Sequence, residues 1–323
     1  MNRADLHSLN AVILDWAGTT IDYGSRAPTQ VFLEIFRRRG IEITVAEARG
    51  PMGRAKRDHI AAVAALPRVA AEWRQRYGQD PADADVQAMY DDFLPLQKAT
   101  LAQGSDVIPG IPQAIAALRA RGLKIGSTTG YTRTLMEVVA PIAARGGYTP
   151  DVIVCSDDGP AGRPDPWMNR RAAELLGVAS MNSVLVVDDT VVGIEAGLNA
   201  GALTLAVTQT GNALGLSAEE VATLPAPELQ ARLTKIEQEF RSLGAHFVIP
   251  SVAQLPGYSM KQVANRRRSP TENENGLRFG CVLRDCGQSA RSLGWFRSFA
   301  AIRTWYTESR QGCRAADDDR TYS

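Results

Sequence analysis

The sequence predicts a doubly wound α/β fold, a parallel sheet covered by helices, with an all-helical cap inserted after the first strand. Three observations predict it. Short apolar runs at 11–14, 124–127, 151–155, 183–187 and 204–207 alternate with helical stretches, the pattern of parallel strands joined by crossover helices. Two of these runs end in carboxylates, Asp15 and the Asp188-Asp189 pair. A long segment rich in Ala, Arg, Glu and Gln, about residues 22–105, separates the first run from the second and has helical patterning.

The first strand is Val12-Ile13-Leu14, followed by Asp15-Trp16-Ala17-Gly18-Thr19-Thr20. It delivers Asp15 to the C-terminal edge of the sheet, where a carboxylate can attack phosphorus or bind a metal. Taken alone, Asp15 reads equally well as a cap of a strand or helix. Many aspartate-based phosphatases place a second carboxylate two residues on, as acid to the leaving alcohol. This chain has Ala17 there. In the insert, Val31, Phe32, Ile35 and Phe36 recur at helical spacing within 28–39, and further helices fit 55–65, 70–77 and 84–101.

The second strand runs from Lys124 into Ser127-Thr128-Thr129-Gly130-Tyr131, a hydroxyl and glycine turn ahead of a helix starting at Thr132. Such a turn can hold an anion, or it can be an ordinary capped connection. Pro160-Ala161-Gly162-Arg163-Pro164 fixes an arginine in a constrained loop. A fixed guanidinium suits phosphoryl oxygens, although a surface arginine in a rigid loop reads the same way. The run Ser183 to Val187 then brings Asp188 and Asp189 to a strand tip, where Asp15 and Asp189 can share one Mg²⁺. Residues 244–249 read as a last strand.

Nucleophile, hydroxyl, cation and acid pair, in this order, resemble the haloacid-dehalogenase superfamily of phosphotransferases, which implies a Rossmann-like core of that type. The segments Asp15-Trp16-Ala17-Gly18-Thr19-Thr20, Pro51-Met52-Gly53-Arg54-Ala55-Lys56-Arg57-Asp58-His59, Gly126 to Arg133, Ala161 to Pro164 and Pro166 to Met168 look like the phosphonoacetaldehyde hydrolases, or phosphonatases. The similarity runs from about residue 11 to about residue 255. It implies hydrolysis of a carbon–phosphorus bond, giving acetaldehyde and phosphate from phosphonoacetaldehyde in 2-aminoethylphosphonate degradation. Lys56 matches the family's Schiff-base lysine, and Asp15 its nucleophile. The chemistry explains the combination. A carbanion leaves phosphorus poorly, but an imine next to that carbon accepts the electrons, so no acid is needed at position 17. A surface lysine is the bland reading of Lys56. The neighbouring cations Arg54 and Arg57 would lower its pKa if they point at it.

The resemblance further implies that Met52, Gly130 and Tyr131 line the substrate site and that Thr129 and Arg163 bind phosphoryl oxygens. His59, three residues beyond Lys56 on a helix, becomes a candidate proton shuttle or else a surface histidine. One Mg²⁺ per subunit is implied on Asp15, the Ala17 carbonyl and Asp189, with Asp188 a further candidate. Superfamily members often carry an acid four residues after the position of Asp189. This chain has Gly193. A homodimer is implied as well, with Phe36, Trp73 and Tyr77 as candidate interface residues.

The expected organisation is an α/β core of residues 1–21 and 106–257, a helical cap of 22–105 carrying Lys56, and an atypical C-terminal extension of 258–323. The extension holds twelve Lys and Arg against seven Asp and Glu, so it is formally +5 while the rest is −4. It permits a basic nucleic-acid arm or a cysteine-based metal module, but no recognised module is present, and a poorly ordered segment without function is the expectation. The whole-chain charge of +1 gives no argument for nucleic-acid or membrane partners. Four unevenly spaced cysteines and the lack of a signal peptide predict a cytoplasmic protein. Two other functions compete: a magnesium-dependent phosphatase acting on phosphate esters, and a non-catalytic module that binds a phosphorylated ligand.

Overall fold

The structure is a computed structural model, and it describes residues 9–258. The extension expected at 258–323 lies outside the described residues, apart from Tyr258. Six strands form one parallel sheet: β1 (Ala11–Leu14), β2 (Lys124–Thr128), β3 (Val152–Val154), β4 (Val184–Asp188), β5 (Leu203–Val207) and β6 (Phe247–Ile249). Their order is β3-β2-β1-β4-β5-β6. Every strand pair is parallel, and Leu14 stands beside Ser127 on one side and Val187 on the other.

The central strands are buried on both faces, which is why they read as unbroken apolar runs. The pleat sorts them. Val12, Leu14, Leu185 and Val187 point into one apolar cluster. Ala11, Ile13, Val184 and Val186 point into another on the opposite face. Helices α6 (Ile111–Ala120), α7 (Arg133–Arg145), α8 (Trp167–Leu175), α9 (Val191–Ala200), α10 (Ala218–Thr223) and α11 (Ala226–Leu243) complete the core layer. Each fully buried aliphatic side chain contributes about 1.5–3 kcal/mol.

The insert between β1 and β2 is all helical: α1 (Arg26–Arg38), α2 (Val45–Arg49), α3 (Lys56–Ala64), α4 (Pro67–Tyr77) and α5 (Asp83–Gly104). It encloses its own apolar cluster, with Phe32, Ile35, Phe36, Ile60, Trp73, Met89 and Phe93. Phe36 and Trp73, expected as interface residues, are buried inside this cluster, because α1 and α4 need them for their own packing. Of the three, only Tyr77 is exposed. Helix α2 was not expected from the sequence. It is held by a capping box, in which Glu47 N donates to Thr44 Oγ1 (3.1 Å) and Thr44 N to Glu47 Oε2 (2.8 Å).

The chain enters and leaves the insert along two adjacent segments. Asp22 N donates to Asp106 O (3.0 Å) and Ile108 N to Thr20 O (3.0 Å). Beyond this crossing, Asp22 caps α1, since both its carboxylate oxygens accept backbone N–H groups, from Arg26 (3.0 Å) and Ala27 (3.1 Å). Among the described residues, no helix is long and apolar enough to cross a membrane.

Candidate active site

Strand order reverses at β1, and in sheets of this kind the crevice outside the strands' carboxyl ends is where ligands bind. Asp15 follows β1 there. Its N–H donates to Val187 O (2.9 Å), which extends the β1–β4 register and brings Asp15 beside the tip of β4. Carboxylate oxygens of Asp15, Asp188 and Asp189 all lie within 4.8 Å of one another, and all three residues are buried.

Among the described residues, one cation is paired directly with these acids. Arg163 Nη1 is 2.7 Å from Asp15 Oδ1 and 3.1 Å from Asp188 Oδ2. Its Nη2 donates to the Thr128 carbonyl (2.9 Å) and hydroxyl (2.7 Å), which fixes the plane of the guanidinium. Burial raises the Asp15 carboxyl to about 7 against the pull of Arg163, and Asp188 adds to the rise. Asp189 is also raised, first by burial and then by the other two carboxylates. One guanidinium among three buried acids leaves a deficit of positive charge. An all-oxygen donor set with that deficit fits a hard divalent cation such as Mg²⁺.

The remaining oxygens are oriented by neighbours. Thr19 Oγ1 donates to Asp189 Oδ1 (3.0 Å) and Asn212 N to Asp189 Oδ2 (2.7 Å). Thr190 donates its N–H (2.9 Å) and its hydroxyl (2.7 Å) to Asp188 Oδ1. Gly193 is explained here: a Cβ at that position would overlap the Asp188 carboxylate. The space beside position 193 is therefore filled by the Asp188 carboxylate, which reaches it from the strand tip. Gly18, at φ 87°, lies against the Asp189 carboxylate, so a side chain there is excluded by conformation and by space.

The insert supplies the opposite wall. Lys56 opens α3 and lines one pocket with Asp15, Ala17, Met52, Thr129, Gly130, Tyr131 and Arg163. Its ammonium lies 4.8 Å from the Tyr131 ring centroid and 5.7 Å from that of Phe32. Burial lowers the Lys56 pKa to about 8, with Asp15 opposing and Arg163 assisting. Arg57, expected as an influence on Lys56, instead pairs with Asp83 and Gln87 at the surface. The lowering therefore comes from desolvation first, and the cation that assists it is on the sheet side.

His59 is buried on α3, but it is not part of the pocket lining. Its ring stacks on Phe32 at 3.7 Å, and Nε2 lies 2.8 Å from Ala48 O. Burial holds its pKa well below the ordinary value, so the ring is neutral at pH 7. Nε2 is then the protonated donor, and Nδ1 is buried without a partner. Thr129 Oγ1 accepts from Tyr131 N (3.1 Å), which closes the turn after β2. Gly130 is one place where the insert touches the core: a Cβ there would lie 2.6 Å from Arg54 O and 3.1 Å from Gly53 O.

The geometry thus brings Asp15, Ala17, Lys56, Met52, Thr129, Gly130, Tyr131 and Arg163 into one pocket, with Asp188 and Asp189 adjoining Asp15. Sequence reading missed Thr19, Thr128, Thr190 and Asn212, which hold the charged groups. Nothing in their local sequence separates them from ordinary turn and cap residues.

Comparison with known proteins shows the family. The haloacid dehalogenase-like hydrolase family matches residues 9–201. A phosphonoacetaldehyde hydrolase of Paraburkholderia phytofirmans is 48% identical over 247 residues, covering 76% of this chain and 92% of that protein. One of Bacillus cereus is 47% identical over 247 residues, 76% of this chain and 94% of that protein. The crystal structure of a phosphonoacetaldehyde hydrolase-like protein from Oleispira antarctica superposes with a TM-score of 0.78 at 41% identity, covering 82% of this chain and 97% of that one. The chain is a hydrolase that belongs to the phosphonoacetaldehyde hydrolase family of the haloacid dehalogenase-like hydrolases.

Proposed function

We propose that this protein hydrolyses the carbon–phosphorus bond of phosphonoacetaldehyde, using Lys56 as an imine-forming amine and Asp15 as the phosphoryl acceptor. The observation that carries this reading is a buried lysine, its pKa lowered to about 8, in one pocket with a buried aspartate and with alanine two residues beyond it. The named activity of relatives at 47–48% identity supports it.

The Lys56 amine adds to the aldehyde carbon and water leaves, giving a protonated imine. Asp15 attacks phosphorus, and the electrons of the carbon–phosphorus bond pass through the adjacent carbon to the imine nitrogen, leaving an enamine. Water hydrolyses the aspartyl phosphate to phosphate. The enamine takes up a proton on carbon, and water releases acetaldehyde and the free amine. The leaving carbon needs no acid at position 17, because the imine is the electron sink. Arg163 and the Thr129 hydroxyl hold phosphoryl oxygens, and Gly130, Tyr131 and Met52 shape the site. His59, neutral and with a free Nδ1, is the proposed proton carrier near Lys56. Asp15, the Ala17 carbonyl and Asp189, with Asp188, would hold Mg²⁺, which supplies positive charge to the phosphoryl oxygens. Residues 22–105 act as a cap whose closure excludes water from the imine. The protein is proposed to work as a homodimer, as the resemblance implies, and in the cytoplasm, as its unevenly spaced cysteines suggest.

A turnover assay with Mg²⁺ tests the reading. Phosphonoacetaldehyde should give one acetaldehyde per phosphate. Faster turnover of the ester analogue glycolaldehyde phosphate would favour a phosphatase.

A further inference from the structure

Arg49 stands out because its fork is spent on the backbone of the other layer. It closes the short helix α2 of the insert and is partly buried. Its Nη1 donates to Gly24 O (2.9 Å), Asn212 O (3.0 Å) and Asn212 Oδ1 (3.1 Å). Its Nη2 donates to Gly215 O (3.2 Å). Asn212 Nδ2 returns a bond to Arg49 O (3.3 Å). All these acceptors are carbonyl oxygens, so the guanidinium is held by geometry and not by a directly paired acid. They belong to two segments. Gly24 is in the crossing from β1 to the insert, and its N–H donates to Thr210 O (2.8 Å). Asn212 and Gly215 lie in the loop after β5.

The same loop touches the acids. Asn212 N donates to Asp189 Oδ2 (2.7 Å), and a Cβ on the preceding Gly211 would lie 2.7 Å from the Asp189 Cβ. One residue, Asn212, therefore binds Arg49 through its carbonyl and side chain and Asp189 through its N–H. Gly215 permits the approach, at φ 69° and with no side chain to meet the guanidinium.

We propose that Arg49 is a positioning residue: it latches the insert to the loop 208–216 and, through Asn212, sets the orientation of Asp189 for its metal. The inference rests on the reading of Asp189 as a metal ligand. Removing the latch should loosen both the seating of the insert and the metal site, although Arg49 touches neither substrate nor metal. Groups that orient a ligand typically change metal affinity by about 10–100-fold when lost.

The test is calorimetric titration of Mg²⁺ into the metal-free full-length protein, with deuterium uptake of residues 45–60 measured alongside. Arg49→Ala should raise the Mg²⁺ Kd about tenfold and speed exchange in that segment. Asn212→Ala, which keeps the N–H bond to Asp189, should have a smaller effect in the same direction. Arg49→Lys, which retains charge and most of the stem, guards against a folding failure and should still bind Mg²⁺ more weakly than the wild type. A folded Arg49→Lys or Arg49→Ala protein with wild-type Mg²⁺ affinity and wild-type exchange would overturn the latch. A wild-type protein that binds no Mg²⁺ would overturn the latch and the metal reading together, and is told apart by needing no variant.

Discussion

The two walls of the pocket handle charge in opposite ways. On the sheet side, Asp15, Asp188, Asp189 and Arg163 are packed against each other, and their balance is electrostatic. On the insert side, Lys56 lies among aromatic rings, and its state is set by desolvation. The difference teaches what each wall can do. Burial raises the Asp15 and Asp189 carboxyls, and the crowded acids are ready for a cation. A lone amine in apolar surroundings is held near the edge of deprotonation and is ready to attack a carbonyl. A single mutation should therefore break one wall without rebuilding the other.

The largest effect is expected from removing either reacting group. Lys56→Met and Asp15→Asn should each lower turnover of phosphonoacetaldehyde by more than about 10³-fold, measured as phosphate release. Lys56→Met also separates function from stability. In the folded state the lysine pKa lies below its unfolded value, so folding disfavours the charged form. That cost is fully present below pH 8 and vanishes as pH rises toward 10.5. Lys56→Met should thus gain up to about 3 kcal/mol in urea unfolding at pH 7, and much less at pH 10.5. An equal gain at both pH values would contradict the assignment of the cost to Lys56.

The sheet side is sharpened by Gly193. Gly193→Asp alone should cost about 3 kcal/mol or more, because its side chain enters the space of the Asp188 carboxylate and adds a buried negative charge. Combining it with Asp188→Gly should restore much of the stability and the Mg²⁺ dependence. The contact between the walls is tested by Gly130→Ala. Its methyl would push on Arg54 O, so kcat/KM should fall by about 10–100-fold while the protein stays folded by circular dichroism.

The smallest expected effect is a pH dependence. With Lys56 near 8, the free-amine fraction rises with pH, so the rate of imine formation should climb through about pH 8 and then level off. A profile that stays flat from pH 7 to 9 would place the amine outside the rate-limiting chemistry.

Much of this contrast was legible in the sequence, for physical reasons. Strands buried on both faces must be apolar throughout, so β1 and β4 stand out, and the acids after them are placed at the tip without further knowledge. Lys56 was legible through its motif, but the source of its low pKa was not. Arg57 is next to it in the chain and turns away, whereas Arg163 is distant in the chain and close in space. In the sequence Asp188 is a further candidate metal ligand and nothing more. Its exchange of space with Gly193 depends on how α9 starts after β4, which one sequence does not display. Arg49 and Asn212 were missed for a similar reason. Most of their bonds go to backbone carbonyls, and α2 is too short for periodicity. Its only mark is the Thr44–Glu47 box.

Borohydride reduction during turnover, read by peptide mass spectrometry, tests the central claim most directly. With phosphonoacetaldehyde and Mg²⁺ present, a reduced adduct should form on Lys56, with loss of activity that depends on substrate. Phosphate released at full rate in borohydride, with no adduct on Lys56, would rule the imine out.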